Sequence, residues 1–536
     1  MCDAAGIRRA RAVPVPVAAA SATAAASSLQ ALLRQGVGLT VGIMGMPAHA
    51  DMVAPESGLT PVGEVRLVPG RASKPPAPAE EAPKKGAAAK PPPPPAPPAV
   101  VALVRPIPWG PPGHAFALAD MLDADSATEQ PWACCPRAAL RRVASAARRE
   151  LGVAFTVGFE LEFCLLAQTA APRRVPAGPV PSVLPPPDDA AWRAADDLPY
   201  ASSLGLDAHA ELLGEIVASC AALGQPVVQY HGESAPGQYE LALAAHGADP
   251  VAAADGVLLA KEAVAALAAR RGFLAVFAPK PYAGAAGTGM HAHVSVVDAR
   301  DGRNLMAGGG GREEAGDGPP GQTGGVLSPL GERFVAGLLS HLPALLPFTA
   351  PSAGSYERLR PGCWAGAFAT YGVENREAPL RITAGRGATA AAGGGGGGGG
   401  SSSSSSGRGA APPRPQVNVE VKAVDATANP YTALAALLTA GMMGMRDEAA
   451  RLPGPPLGRD PGAAAPAPGA AAGPSPAPLP ASLPEALAAL EADAALAAAL
   501  RDPASSLGAP LFSALVGVRK CEARLGVTAA QTALRY

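Results

Sequence analysis

Charged side chains are scarce in this 536-residue chain: they make up 16% of it, aromatic residues only 4%, and the formal net charge is −1. Nucleic-acid binding needs clustered positive charge, and no basic stripe interleaved with aromatics occurs, so no nucleic-acid partner is expected. Apolar runs long enough to span a bilayer are also lacking, the nearest candidates being alanine-rich and broken by charge or glycine. No membrane partner is expected either. The seven cysteines (Cys2, Cys134, Cys135, Cys164, Cys220, Cys363 and Cys521) are odd in number and show no metal-ligand spacing. They read as free thiols in a reducing compartment, hence a cytoplasmic protein. Arg8, Arg9 and Arg11 precede an Ala/Ser stretch with no clean apolar core or cleavage site, so organelle targeting stays open.

Glycine, proline and alanine are in excess. Gly 63 and Pro 61 together make nearly a quarter of the chain, and alanine inflates the 48% hydrophobic content. The excess is local. Residues 71–99, 171–189, 301–329, 384–415 and 453–481 hold much of it, including the prolines Pro91 to Pro95 and the run Gly393 to Gly400 followed by Ser401 to Ser406. Such segments bury too little apolar surface to offset chain entropy and read as flexible surface insertions. They total about 138 residues and leave about 398 of globular texture, enough for two domains. The octaglycine lacks the preceding strand and the helix-opening Lys-Ser/Thr of a phosphate-binding loop, so it reads as a linker.

Between the insertions, Val37–Ile43, Gly63–Val68, Val100–Val104, Val153–Leu166, Leu274–Ala278 and Met290–Val297 read as strands, and Val227–Ala244 as paired strands. Pro136–Leu151, Ala208–Leu223 and Ala252–Arg271 read as helices. Asn429-Pro430 opens a further helix through Met445, and Ser482 to Glu485 has the pattern of a capping box. Mixed elements without strict alternation predict an α+β fold with an antiparallel sheet.

The chemistry-bearing residues fall two apart on strands, which places them on one face. In GFELEF (158–163), Glu160 and Glu162 oppose Phe159, Leu161 and Phe163; alone, a solvated strand face explains this. In GTGMHAHVS (287–295), His291, His293 and Ser295 share a face, leaving ligation and ordinary packing equally open. Glu420 and Lys422 share a face in VEVKAVD (419–425), which alone reads as a surface ion pair. HGESAPGQYE (231–240) brings Glu233 and Glu240 around the Pro236-Gly237 turn, as an ordinary polar hairpin would. Taken together, five carboxylates and one imidazole suit Mg²⁺ or Mn²⁺ better than zinc. Two such ions suit phosphoryl transfer from ATP. Arg358, Arg376 and Arg381, in SYERLRPGCWAG (355–366) and GVENREAPLRI (372–382), are candidate clamps for carboxylate or phosphate.

The strings GFELEF, ESAPGQYE, FAPKP, GTGMHAH, SYERLRPG and EVKAVDATANPY occur in the order found in the glutamine synthetase superfamily, and the chain resembles it from about 153 to 446. The tail GVRKCEARLG and the stretch 355–381 are most similar to its nodulin-like and fungal developmental-protein branch. The resemblance implies a small, truncated N-terminal β-grasp domain over 1–115, with 71–99 as its insertion. A catalytic domain follows over 116–536, its curved antiparallel sheet flanked by helices and carrying the other four insertions. It implies two metal ions per site, with ATP as co-substrate and glutamate and ammonia or another amine as partners, in a homo-oligomeric ring.

By that resemblance Glu162, Glu233 and Glu240 hold the first metal, and Glu160, His291 and Glu420 the second. His293, Ser295 and Arg381 contact the nucleotide. Gly287, Arg358 and Lys422 fall in the glutamate site, and Arg358 and Arg376 are the catalytic arginines, Arg376 facing the transferred phosphoryl group. The implied activity is glutamine synthesis through γ-glutamyl phosphate, a step of nitrogen metabolism.

Four positions depart from the pattern. The flap glutamate that helps deprotonate ammonium is Trp364, which cannot accept a proton. MGMP (44–47) replaces the segment bearing an ammonium-binding aspartate, Ala286 replaces an asparagine, and Lys422 replaces an arginine. A γ-glutamylamide ligase using a larger amine, and a non-catalytic scaffold or sensor, are therefore the alternative readings.

Overall fold

A computed structural model describes residues 3–4, 7–10, 36–48, 52–69, 104–124, 130–168, 192–308, 322–384, 416–457 and 476–528. In the first part of the chain, β1 (Val37–Thr40) and β2 (Glu64–Pro69) pair antiparallel; β3 (Val104–Pro106) and β4 (Ala115–Ala117) form a separate hairpin; β5 (Ala119–Asp123) adds to β2. Strand β2 shows the period of two that a one-sided sheet requires, with Val65 and Leu67 buried between more exposed neighbours.

The second sheet is built around β6 (Val153–Gln168), a strand long enough to serve several partners. It joins β7 (Trp192–Ala194), β8 (Val227–Gly232), β9 (Gln238–Leu243), β10 (Phe273–Val276), β11 (Met290–Asp298), β12 (Tyr371–Val373), β13 (Leu380–Ala384) and β14 (Val417–Val421). The order is β12-β13-β14-β11-β6-β9-β8, with β7 and β10 pairing the far end of β6. All these pairs are antiparallel except β12 with β13.

Odd-numbered residues of β6 (Val153, Phe155, Val157, Phe159, Leu161, Phe163 and Leu165) are all buried and form one apolar face. Helices Pro136–Leu151 and Pro250–Arg270 pack against this strand, and Phe155 meets Phe334 of helix Pro329–Thr349 with ring centroids 6.1 Å apart. That helix lies on Pro430–Arg446, whose buried Ala433, Ala435, Ala436 and Ala440 show where much of the alanine goes: small side chains under closely packed helices.

Helix starts follow the sequence. Asp249, Ser328, Asn429 and Ser482 each accept a first-turn backbone N–H, ahead of proline at the first or second helical position. Arg137 ties the two sheets' surroundings together. Its guanidinium donates to Asp120 of β5 at 3.0 Å and to both oxygens of Asp255 at 3.0 and 2.8 Å, and all three residues are buried.

Several sequence expectations change. The strand expected over Val37–Ile43 ends at Thr40, whose hydroxyl caps a 3₁₀ turn, Val41–Gly45. The helix expected over Ala208–Leu223 is two, Ser203–Ala208 and Ala210–Ala222, broken at His209. Of the strand expected over Val100–Val104, residues 100–103 lie outside the described residues, and β3 begins at Val104.

Insertions 71–99 and 171–189 lie wholly outside the described residues, and most of 384–415 and 453–481 does too. The insertion at 301–329 is shorter than expected: Asn304 and Ala307 bridge to Val297 and Leu327, and Thr323 donates to Glu332. Segment 453–481 is anchored at both ends. The Leu457 carbonyl accepts from Asn375, and Pro478 bridges to Phe368. Among the described residues no helix is long and apolar enough to cross a membrane.

Candidate active site

The polar face of the large sheet is assembled by strand register. Residues directly opposite each other in neighbouring strands share a face and come close. Glu162 of β6 lies opposite Glu240 of β9, which lies opposite His231 of β8, making one row. Glu160 lies opposite His291 of β11. His293 lies opposite Glu420 of β14, which lies opposite Arg381 of β13, making another.

His291 sits at the centre. Its Nδ1 is 3.2 Å from both Glu160 and Glu420, and its Nε2 is 3.4 Å from Glu162. His293 Nε2 lies 3.2 Å from Glu160, while its Nδ1 meets Asn418 Oδ1 at 2.9 Å. His231 Nε2 lies 2.9 Å from Glu233, with its Nδ1 3.9 Å from Glu240. Among the described residues, ligand atoms lie within 4.8 Å of one another in each of three groups: Glu160, Glu240 and His291; Glu160, His293 and Glu420; His231, Glu233 and Glu240. They cut across the two ligand sets expected from sequence, because Glu160 and Glu240 each belong to two groups.

The electrostatics are those of crowded, buried acids. Burial, then the charges of Glu160, Glu162, Glu233 and Glu420, pushes Glu240 far above the ordinary carboxylate range. Burial works the same way on Glu160 and Glu420 but is outweighed. Hydrogen bonds to His291 and His293 hold Glu160 low, and His291 with Lys422 holds Glu420 low. His291 and His293 are raised, because bonds to the acids overcome burial. Divalent cations fit this donor set, hard oxygens with imidazole and crowded like charges that Arg381 and Lys422 relieve only at Glu420. His231 Nδ1, buried without a hydrogen-bond partner, points the same way.

The cationic residues are placed unequally. Arg358 is buried; its Nη2 donates to the Lys422 carbonyl at 2.9 Å and lies 3.0 Å from His291 Nε2, while its Nη1 has no hydrogen-bond partner. Burial lowers its pKa, so this unmatched donor is costly until an acceptor arrives. Arg381 bridges Glu420 at 3.0 Å and Glu374 at 2.8 Å. Lys422 is buried 3.5 Å from Glu420, so the pair that reads alone as a surface ion pair is an interior one. Arg376 is exposed and lines a cleft with Trp364. Ser295 donates to the Val417 carbonyl at 2.9 Å. Met44 of the MGMP segment is fully buried in the core.

Gly287 and Gly289 are required by close approach. A Cβ at Gly287 would sit 2.5 Å from Arg358 Cγ, and one at Gly289 would sit 2.5 Å from His291 Nε2. Sequence reasoning missed His231, Gln238, Asn418 and Glu374. Buried Gln238 holds Glu162 and the Gly287 carbonyl with one amide nitrogen, at 2.8 and 2.9 Å, and accepts from the Ala235 N–H at 3.0 Å. The signal for His231 was its place two residues before Glu233 on a strand; the other three are orienting residues with no pattern of their own.

Comparison with known proteins gives concordant results. The family model described as "Glutamine synthetase, catalytic domain" matches residues 133–392 and 403–521. The gamma-glutamylpolyamine synthetase GlnA3 of Streptomyces coelicolor is 34% identical over 415 residues, 77% of this chain and 73% of that protein. Protein fluG of Emericella nidulans is 31% identical over 58% of this chain, which spans only 28% of that relative. A crystal structure described as a novel glutamine synthase homolog covers 100% of this chain and 96% of its own at a TM-score of 0.67 and 26% identity.

Proposed function

The chain belongs to the glutamine synthetase catalytic-domain family of ATP-dependent ligases, and from that premise we propose that it joins an organic amine to the γ-carboxyl of glutamate. The observation that carries the reading is the set of three cross-strand rows, which bring four glutamates and three histidines onto one face, with Glu233 2.9 Å from His231, beside an unsatisfied buried guanidinium.

Glu162, Glu233 and Glu240 would hold one divalent cation, and Glu160, His291 and Glu420 another, Mg²⁺ or Mn²⁺. Such ions, when bound, draw charge from the phosphate oxygens of ATP. His293 and Ser295 line the nucleotide end, and Arg381 reaches phosphate from beside Glu420. Arg358 offers its free Nη1 to a glutamate carboxylate, Gly287 keeps that space open, and Arg376 faces the phosphoryl group in transfer. The γ-carboxylate oxygen bonds to the γ-phosphorus as the bond to ADP breaks, giving an acyl phosphate. The amine nitrogen then bonds to the acyl carbon, phosphate leaves, and the nitrogen loses a proton.

An organic amine is favoured over ammonia by Trp364, an indole where the family pattern has a proton-accepting carboxylate, and by the name of the Streptomyces relative. The test is ADP release by the purified protein with glutamate, Mg²⁺ and either ammonium or an alkylamine panel. Release that requires glutamate and an alkylamine together supports the reading. Release with ammonium and not with alkylamines replaces it with glutamine synthesis, and no glutamate-dependent release with any amine overturns it.

A further inference from the structure

His231 has no place in the ligand sets that the family resemblance assigns, yet three local features set it among them. The first is a bulge in the edge strand. The β8–β9 pairing shifts register between Val227 and Gln229, and only after the shift does His231 lie opposite Glu240. Unshifted, it would lie opposite Tyr239, whose buried ring packs beside Phe163 on the other face. A bulge beside a site serves to re-aim one side chain. The second is the ring's orientation. Its Nε2 lies 2.9 Å from Glu233 Oε1, and the Tyr200 ring meets the imidazole edge-on at 5.6 Å. Metal-bound imidazoles are held in this way, their other ring nitrogen on a carboxylate or carbonyl. The third is the nitrogen left over. Nδ1 is buried without a hydrogen-bond partner and faces Glu240 at 3.9 Å. That separation is too long for a hydrogen bond, whereas two donors each about 2.1 Å from one ion lie about 3.0–4.2 Å apart. Glu162, by contrast, keeps Oε2 on Gln238 and the Gly289 N–H and turns Oε1 to His291 at 3.4 Å. Among the described residues the donors that converge at Glu233 and Glu240 include His231 and not Glu162.

We propose that His231 Nδ1 is a direct ligand of the divalent cation at Glu233 and Glu240, and that this imidazole makes the position select Mn²⁺ or Co²⁺ over Mg²⁺. The inference rests on the reading that this face binds divalent cations, and it adds one ligand to that reading. Mg²⁺ prefers oxygen donors and retained water, while transition ions gain from an imidazole. Glu233 then both ligates the ion and orients the ring.

The experiment saturates the full chain, carrying ¹⁵N-imidazole histidine, with Mn²⁺ and reads nitrogen coupling to the ion by pulsed electron paramagnetic resonance. The natural protein is expected to couple to at least two imidazoles, and His231→Gln to one fewer. Competition calorimetry with Mg²⁺ accompanies it. His231→Gln should cut the preference for Mn²⁺ over Mg²⁺ at least about tenfold, the lower end of what loss of even an outer partner costs. Fewer than two coupled imidazoles in the natural protein, a result that needs no variant to fold, overturns the proposal. So does a coupling or a preference that survives His231→Gln unchanged. Glutamate-dependent ADP release is followed in parallel with Mn²⁺. Release without coupling from His231 removes the ligand assignment and leaves the ligase reading; coupling from His231 without release does the reverse.

Discussion

Replacing Gln238 with alanine tests whether the site is held in shape by residues that themselves bind nothing. The side chain is 3% exposed and makes three hydrogen bonds: to Glu162 at 2.8 Å, to the Gly287 carbonyl at 2.9 Å and from the Ala235 N–H at 3.0 Å. Truncation leaves a half-buried carbonyl and a buried N–H unmatched, at about 1–3 kcal/mol each, and takes a donor from a carboxylate. The loss is therefore about 3–5 kcal/mol, less whatever water entering the space restores. Glu162 would keep only the Gly289 N–H, at 2.9 Å, of its two orienting donors, and loss of such an outer hydrogen bond costs about 10–100-fold in metal affinity. Urea denaturation without metal reads the first quantity, and Mn²⁺ titration followed by electron paramagnetic resonance reads the second. Stability within about 0.5 kcal/mol of the natural protein, together with Mn²⁺ affinity within about threefold, would refute the reasoning.

Three further outcomes follow from the same contacts. Glu240→Gln puts a neutral amide where the metal-free protein already holds the acid protonated, so the metal-free variant should melt no lower than the natural protein, while Mg²⁺ should raise its melting temperature less; a variant that melts lower without metal contradicts this. Arg137→Met leaves Asp255 without a cationic partner and Asp120 with Arg141 alone, at 3.1 Å, and should cost about 3–5 kcal/mol in urea denaturation; a loss under about 1 kcal/mol would show the pairs to be dispensable. Burial, partly offset by Arg9, raises Asp3 from 3.8 to about 6. An acid whose folded pKa is raised favours its protonated form, so its contribution is fully present below about pH 4 and is lost as pH rises through about 6. Asp3→Asn should therefore gain on the natural protein by about 2 kcal/mol between pH 4.5 and 7.5, and a pH-independent difference contradicts this.

What could be read from the chain, and what could not, divides along strand register. Alternation within one strand is local, so Glu160 with Glu162 and His291 with His293 could be assigned to shared faces before any fold was known. Helix starts such as Asn429-Pro430 and Ser482 were likewise legible, because capping is decided within one turn. Alternation does not say what the polar face meets. Glu162, Glu420 and Lys422 looked solvated and are buried, since neighbouring strands β9, β11, β13 and β14 line them with one another's polar side chains. His231 reaches the acids only because β8 and β9 pair with His231 opposite Glu240, a register no single segment discloses. Gln238 and Asn418 orient an acid and an imidazole through contacts 76 and 125 residues distant in sequence. The break at His209 and the early end of β1 were hidden because both neighbouring segments keep a regular apolar pattern.

The central claim is that the face carrying Glu160, Glu162, Glu240, His291 and Glu420 couples ATP cleavage to amide formation on glutamate. The most direct measurement is mass spectrometry of the product formed from ¹⁸O-labelled glutamate γ-carboxylate, ATP, Mg²⁺ and 1,4-diaminobutane, with ADP counted in the same reaction. The account predicts a γ-glutamylamide in a one-to-one ratio with ADP, and one ¹⁸O transferred to the released phosphate. ADP without amide, or phosphate without label, would contradict it.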